Sequence, residues 1–565
     1  MIQRPHATQD AAHQSIIFQF AVSQEALMRW MYVAAILLLQ LVHARLIVDW
    51  PHKRSLDEKK AMAIAFVEDQ LQKHAVPGFA LSIVYQNETV LTRGFGTKQY
   101  GNDSNVVTEN TQFQIGSFTK TFIALGIAKL VDEGRLSWDD PVKLRLPWFE
   151  LADKYAEKYT TLGDLAAMNS VLGAFEGDIV WGISVHPNER SLVQSLGTFK
   201  TTRHLRAGYA YANLNFEILG QVLEHQTNMT WSQYLHKTFF TPIGMVNTYG
   251  SVPDVPANGD LSFGHVICNG KVAGPYDLRS SPEIALGYKN GHLAAGSMLS
   301  TASDLALFSK FLLSKGAGIF RSPKTVETLI TGHNFQAMFA PLAKLVGMSY
   351  NPDGGSMTAG YGFDITGNLM YGRHYFDKSG DTIAFKTRTG FLPKEELGIV
   401  LLANAKPAGG PTEDEFLSDR IRTYVAGIFL DVEPALLLGL RAQTLAARAK
   451  ELPAQCSEHT FGGKSWTEMG SVLPEAAQKN LVGTYAPRES ATYYGNVTIS
   501  RAGDRLQLHY GAYTAPLYAA RDMSSTLLWA LDAVAGAEIF IPVEGLETAT
   551  PTFELSVPYT KVQAS

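Results

Sequence analysis

The chain of 565 residues is too long for one ordinary domain, so two or three folded units are expected. A hydrophobic share of 46% with 18% charged residues excludes collagen, coiled coil and wholesale disorder, and a net charge of -5 offers nucleic acid no basic field. Its two cysteines, Cys268 and Cys456, exclude a disulfide-rich scaffold and a cysteine-rich zinc module, and leave open one bridge or two buried thiols.

At the N-terminus, Arg29 precedes the apolar run Met31–Val42, and Val42-His43-Ala44 follows at cleavage-type spacing. That order predicts a secretory leader over residues 1–44. The run falls short of the roughly 20 apolar residues that cross a bilayer, with a short signal anchor as the alternative. Met1–Leu27 is long and mostly polar for a leader, and Met28 makes a tidier start. Sequons at Asn87, Asn102, Asn228 and Asn496 join the leader in predicting a secretory route in a eukaryotic cell.

Ser55–His74 then reads as a helix, from apolar residues at helical spacing. Gly78–Tyr85 and Thr89–Gly94 read as two strands of a hairpin. Helical patterning dominates from Ser117 to about Glu224. Strand patterns return at Tyr371–Lys378, Thr382–Gly390 and Leu397–Ala403. Strands at both ends with helices between predict one α+β domain over residues 55–430, whose terminal segments share a sheet. Pro434 starts a helix in a linker over 431–478. Short alternating runs separated by turn signals then predict a small all-β unit, sandwich or barrel, over 479–565.

Three motifs carry the chemistry. Ser117 opens an apolar helical stripe that stops at Gly134, and Lys120 lies one turn on along the same face. A helix N-terminus favours developing negative charge, and a partly buried lysine loses proton affinity until it can accept a hydroxyl proton. Tyr211-Ala212-Asn213 precedes an apolar helix, on a turn from which both polar side chains can face one cleft. Lys378-Ser379-Gly380-Asp381 sits at a strand end, where it offers a cation, a hydroxyl and close backbone approach. Each motif alone has a bland reading: a helix cap with a solvated lysine, a buried tyrosine with an asparagine cap, an edge-strand lysine.

In this order the motifs resemble the serine β-lactamases and penicillin-binding-protein-like hydrolases, in particular the class C branch. That group also holds esterases, D-aminopeptidases and transacylases. The likeness extends from about Lys60 to Val425 through Gly134–Val142, Ala294–Asp304, Gly360–Phe363, Gly390–Pro393 and Val400–Asn404. It implies a β-lactamase/transpeptidase-like fold, an antiparallel sheet flanked by helices with an inserted helical subdomain. It also implies a nucleophile at Ser117, a proton acceptor or relay at Lys120 and a general base at Tyr211. Lys378 would hold Tyr211 at low pKa, and Asn213, Ser379 and Asp381 would contact substrate. The backbone N–H groups of Ser117 and Asp381 would form the oxyanion hole. Whether Lys120 or Tyr211 takes the first proton stays open.

Two positions depart from the family pattern. A small residue is usual where Asp381 stands, so a carboxylate facing the cleft would oppose acidic substrates. Leu165–Leu172 resembles the segment before the helical insert but lacks its Ser/Thr-Gly ending. The C-terminal unit, through Leu481–Tyr485 and Tyr494–Thr498, resembles the lipocalin-like β domain appended to this branch.

No G-x-S-x-G elbow, complete phosphate loop or H-E-x-x-H occurs, so no metal or cofactor is called for. The expected partner is a small-molecule or peptide-like acyl substrate. The alternatives to a hydrolase are a transacylase using the same site and a catalytically retired secreted binding or matrix protein.

Overall fold

The computed structural model describes residues 53–281, 284–286, 291–336, 357–408, 416–439, 442, 455–521, 523, 525–531 and 539–562. The expected leader and the alternative start at Met28 lie outside them.

Ser55 caps the first helix, α1 (Leu56–Lys73): its hydroxyl accepts from Glu58 N while the Glu58 carboxylate accepts from Ser55 N. Next come β1 (Gly78–Tyr85) and β2 (Glu88–Gly96), joined through Gln86 and Asn87. Both turn residues have positive φ, 53° and 63°, the backbone hand that suits the twist of a two-residue hairpin. Far along the chain follow β3 (Ile365–Met370), β4 (Arg373–Asp377), the short β5 (Gly380–Asp381), β6 (Lys386–Leu392) and β7 (Leu397–Ala403). The sheet order β2-β1-β7-β6-β4-β3 brings the two ends of the domain into one antiparallel sheet, as the strand pattern predicted. Thr382–Phe385 departs from that prediction. Thr382 Oγ1 accepts from the amides of Ala384 and Phe385, which makes this segment a turn, and the strand begins at Lys386.

Both faces of the sheet are covered, so β6 and β7 are buried along their whole length. The helix Ala302–Leu313 packs on one face, and α1 with the helix Leu417–Phe429 packs on the other. The inserted helical lobe includes the helices Thr119–Asp132 and Leu214–Thr227, which pack against each other and present Ser117 and Asn213 from their N-terminal ends.

The C-terminal strands Gly483–Pro487, Val497–Ala502, Arg505–Tyr510, Tyr513–Ala520, Thr526–Trp529, Ile539–Glu544, Thr552–Leu555 and Val557–Lys561 each pair with the next in sequence. The last also pairs with the first, closing an eight-stranded antiparallel barrel without a free edge. Tyr485, Tyr510, Trp529, Phe553 and Tyr559 are buried within its apolar core. Its helical turn Ala491–Tyr494 packs on the inserted lobe: Tyr493 OH donates to Gly177 O at 3.0 Å, and its ring centroid lies 4.3 Å from that of Phe199. Cys268 and Cys456 form a disulfide, with Cα atoms 5.7 Å apart.

Candidate active site

The chain enters the site through a tight turn. Gly116–Phe118 is a single 3-10 turn, and the α-helix begins at Thr119, whose hydroxyl donates to Gly116 O at 2.7 Å. Gly116 has φ 54°, and a Cβ built on it would stand 2.8 Å from Asp381 O. A Cβ on Gly380 would stand 1.9 Å from Ile115 O. Glycine is therefore required on both sides, because β5 runs against the backbone of the Ser117 turn. Lys120, one turn into the helix, is fully buried with Nζ 3.0 Å from Ser117 Oγ, and it donates to Ala295 O at 2.5 Å.

Tyr211 stands between two lysines. Its ring centroid is 5.2 Å from Lys120 Nζ and 4.6 Å from Lys378 Nζ. Lys378 donates to Tyr211 OH at 2.9 Å and to the Asp364 carboxylate at 2.6 Å. The Tyr211 hydroxyl also lies within hydrogen-bonding reach of Ser117. Ser117, Tyr211, Asn213, Ser379 and Asp381 line one cleft of about 450 Å³, with Lys120 and Lys378 buried beneath it. The three motifs thus converge on one site.

The two lysines are shifted in opposite directions. Burial drives the Lys120 pKa well below its ordinary 10.5, and the positive charge of Lys378 lowers it further. A neutral amine beside a hydroxyl can take its proton. Burial alone would also lower Lys378, but the Asp364 carboxylate and Tyr211 outweigh it and raise its pKa. The low pKa expected for Tyr211 is not found. Burial raises its pKa, and the opposing attraction of Lys378 does not reverse the shift.

Asp381 resolves the question its position raised. Burial would raise its pKa, but Arg388, Lys386 and Lys406 hold it well below the usual carboxylate range. Arg388 Nη1 donates to it at 2.5 Å, and Lys386 Nζ stands 3.7 Å away. Arg388 also donates to Asp419 at 2.7 Å, so the carboxylate is tied into an ion chain with the helix behind the sheet. Its charge is neutralised by cations and does not stand alone against an acidic substrate.

The chain matches the family model described as Beta-lactamase over residues 63–421. It belongs to the β-lactamase family. This is a family of serine hydrolases, and the match covers the sheet, the inserted lobe and all three motifs. Among curated proteins, this β-lactamase-family chain is 25% identical to Protein flp of Staphylococcus aureus strain MRSA252 over 372 residues, covering 65% of this chain and 67% of that protein. It is 27% identical to the unguisins hydrolase ungD' of Aspergillus campestris over 262 residues, 45% of this chain and about half of that protein's length (47%). In fold it resembles the octameric penicillin-binding protein homologue from Pyrococcus abyssi, with TM-score 0.51 and 20% identity over 89% of this chain and 99% of that one.

Several side chains at the site of this β-lactamase-family member escaped the sequence reading. Asp364 follows the recognised Gly360–Phe363 segment, yet nothing in the pattern marked it as the partner of Lys378. Asp178 accepts from Asn213 Nδ2 at 2.6 Å and from Trp181 Nε1 at 3.1 Å. Glu189 and Glu217 are both buried, and Glu217 is near enough to Lys120 to raise its pKa. Glu189 Oε1 accepts from Ala294 N at 2.7 Å, and Glu217 Oε1 accepts from Ala295 N at 3.1 Å. The pair thereby holds the two peptides that lead into Ala295, whose carbonyl receives Lys120. Burial raises the pKa of both carboxyls, most strongly that of Glu189. Among the described residues no group of three His, Cys, Asp or Glu is placed to hold a metal ion.

Proposed function

We propose that this protein forms an acyl-enzyme on Ser117 and hydrolyses an ester, amide or lactam bond. The observation that supports this most is the buried Lys120 amine 3.0 Å from Ser117 Oγ, with its pKa driven down by burial. In this reading Lys120 takes the Ser117 proton as Oγ bonds to the scissile carbonyl carbon. The backbone N–H groups of Ser117 and Asp381 receive the oxyanion that forms. Tyr211, held by Lys378, donates its phenolic proton to the leaving oxygen or nitrogen as the carbonyl–heteroatom bond breaks, and regains a proton through Lys120. Water then attacks the acyl-enzyme and gives a proton to the same relay, which returns it to Ser117 Oγ as the acyl–Oγ bond breaks, restoring the serine hydroxyl. An alcohol or amine in place of that water would make the protein a transacylase. Product partition in the presence of an added acceptor separates the two activities.

A fluorophosphonate probe should label the wild type and leave Ser117→Ala unlabelled, with turnover of p-nitrophenyl esters lost alongside. Equal labelling of both proteins removes the assignment, and wild type that neither labels nor turns over any substrate returns the retired-binding-protein reading.

We further propose a secretory route. The Cys268–Cys456 disulfide and the exposed sequon residues Asn87, Asn228 and Asn496 support it.

A further inference from the structure

Three carboxylates line the cleft, and two of them are committed to cations. Asp364 is paired with Lys378 at 2.6 Å, and Asp381 lies among Arg388, Lys386 and Lys406. Asp178 differs. Its carboxylate is held by two neutral donors, Asn213 Nδ2 and Trp181 Nε1, and among the described residues it has no ion-pair partner. Because a carboxylate only accepts, Asn213 must turn its NH2 toward Asp178. Asp178 is largely desolvated, since burial pushes its pKa up against both hydrogen bonds and the attraction of Lys120. A buried charge without a counter-charge is costly, and such a group is stabilised when a cation arrives.

The surroundings of Asp178 suit one kind of cation. Phe175 and Trp181, three residues to either side, line the same cleft wall. Phe175 is 60% exposed although it is a large apolar side chain at the cleft mouth. It adopts φ 55°, a conformation uncommon for a bulky residue. Two contacts hold it there: its amide donates to Tyr211 O at 2.9 Å, and its ring centroid lies 5.3 Å from that of Tyr211. The barrel supports the wall from behind, where Tyr493 OH donates to Gly177 O, next to Asp178. A carboxylate and two aromatic side chains lining one cleft are a setting for an alkylammonium, which takes an ion pair from the carboxylate and cation–π contact from a ring.

Building on the acyl-enzyme reading above, we infer that Asp178, with Phe175 and Trp181, binds a protonated amine on the acyl part of the substrate. The substrates are then amino-acyl amides or esters with a free ammonium group, and Asp178 is the specificity-determining residue. Asn213 links this subsite to the reacting centre, since it bonds Asp178 and borders the same cleft as Ser117.

The test compares p-nitroanilides that differ only in the ammonium: D- and L-alanyl against isobutyryl, and β-alanyl against butyryl. For at least one pair kcat/KM should favour the ammonium substrate by about 10-fold or more, and Asp178→Asn should bring that ratio to about one. A ratio near one for every pair in wild type, or an unchanged ratio in Asp178→Asn, overturns the inference. Fluorophosphonate labelling of Ser117 reports that the variant is folded. Calorimetric titration with benzylammonium and with benzyl alcohol separates the two claims. Ammonium-selective binding lost in Asp178→Asn, in a protein whose Ser117 does not label, supports the subsite and sinks only the hydrolase. Labelling of Ser117 with no ammonium-selective binding sinks the subsite alone.

Discussion

Lys120 and Lys378 both stand over the Tyr211 ring, are equally buried, and have pKa values shifted in opposite directions. Around Lys378 the hairpin from β3 to β4 brings in Asp364, and one carboxylate at 2.6 Å outweighs the cost of desolvating the ammonium. Beneath Lys120 the contacts are a hydroxyl and a backbone carbonyl. No carboxylate hydrogen-bonds Lys120 among the described residues; Asp364, Glu217 and Asp178 raise its pKa only through space, and Glu217 and its neighbour Glu189 spend acceptors on the amides of Ala294 and Ala295. The lesson is that burial alone does not set a lysine's role. The placement of one acid divides an otherwise matched pair into a proton acceptor and a fixed cation.

The sharpest way to break this contrast is Lys120→Arg. A guanidinium stays protonated at any working pH, so kcat/KM should fall by about 1,000-fold or more and match Lys120→Ala. An arginine variant that stays active would show that positive charge, not proton acceptance, is what the position needs. Removing the acid from the other lysine comes second. Asp364→Asn deletes the interaction that raises Lys378, so its pKa should fall and activity should be lost as pH rises through the new value. A decrease of about 10- to 100-fold near neutral pH, with a new alkaline limb in the kcat/KM profile, is expected. A flat alkaline side would mean that Asp364 does not hold the charge. The smallest effect is at the floor of the site. Glu217 raises the pKa of Lys120. Glu217→Gln should therefore move the acid limb to lower pH, by about half a unit, while Ser117 still labels. A shift to higher pH contradicts the assigned sign.

Where neighbours in space are neighbours in sequence, the site was legible. Ser117 and Lys120 are one helical turn apart, and the positive-φ pair Gln86-Asn87 sits where the hairpin was expected. Gly380 could be read as a close-approach residue because only glycine fits against Ile115 O. Contacts made by folding were not legible. Asp364 reaches Lys378 only across a hairpin, and Asp178 comes from a short irregular helix with no period to mark it. Glu189 and Glu217 stand on separate helices. At Tyr211 the pattern showed the charge of Lys378 but not the desolvation that opposes it and raises the phenol's pKa. The strand boundary at Lys386 was missed because the hydroxyl of Thr382 ties down a turn that β-propensity alone does not reveal.

The central claim is that Lys120 is neutral at rest and takes the Ser117 proton. The pH dependence of the fluorophosphonate labelling rate tests it directly, because labelling needs an activated Ser117 but no leaving amine and no water attack. A rate that rises through a single ionisation far below 10.5 and is lost in Lys120→Arg is the predicted result. A rate that climbs only near the ordinary lysine pKa of 10.5, or that is retained in Lys120→Arg, would contradict it.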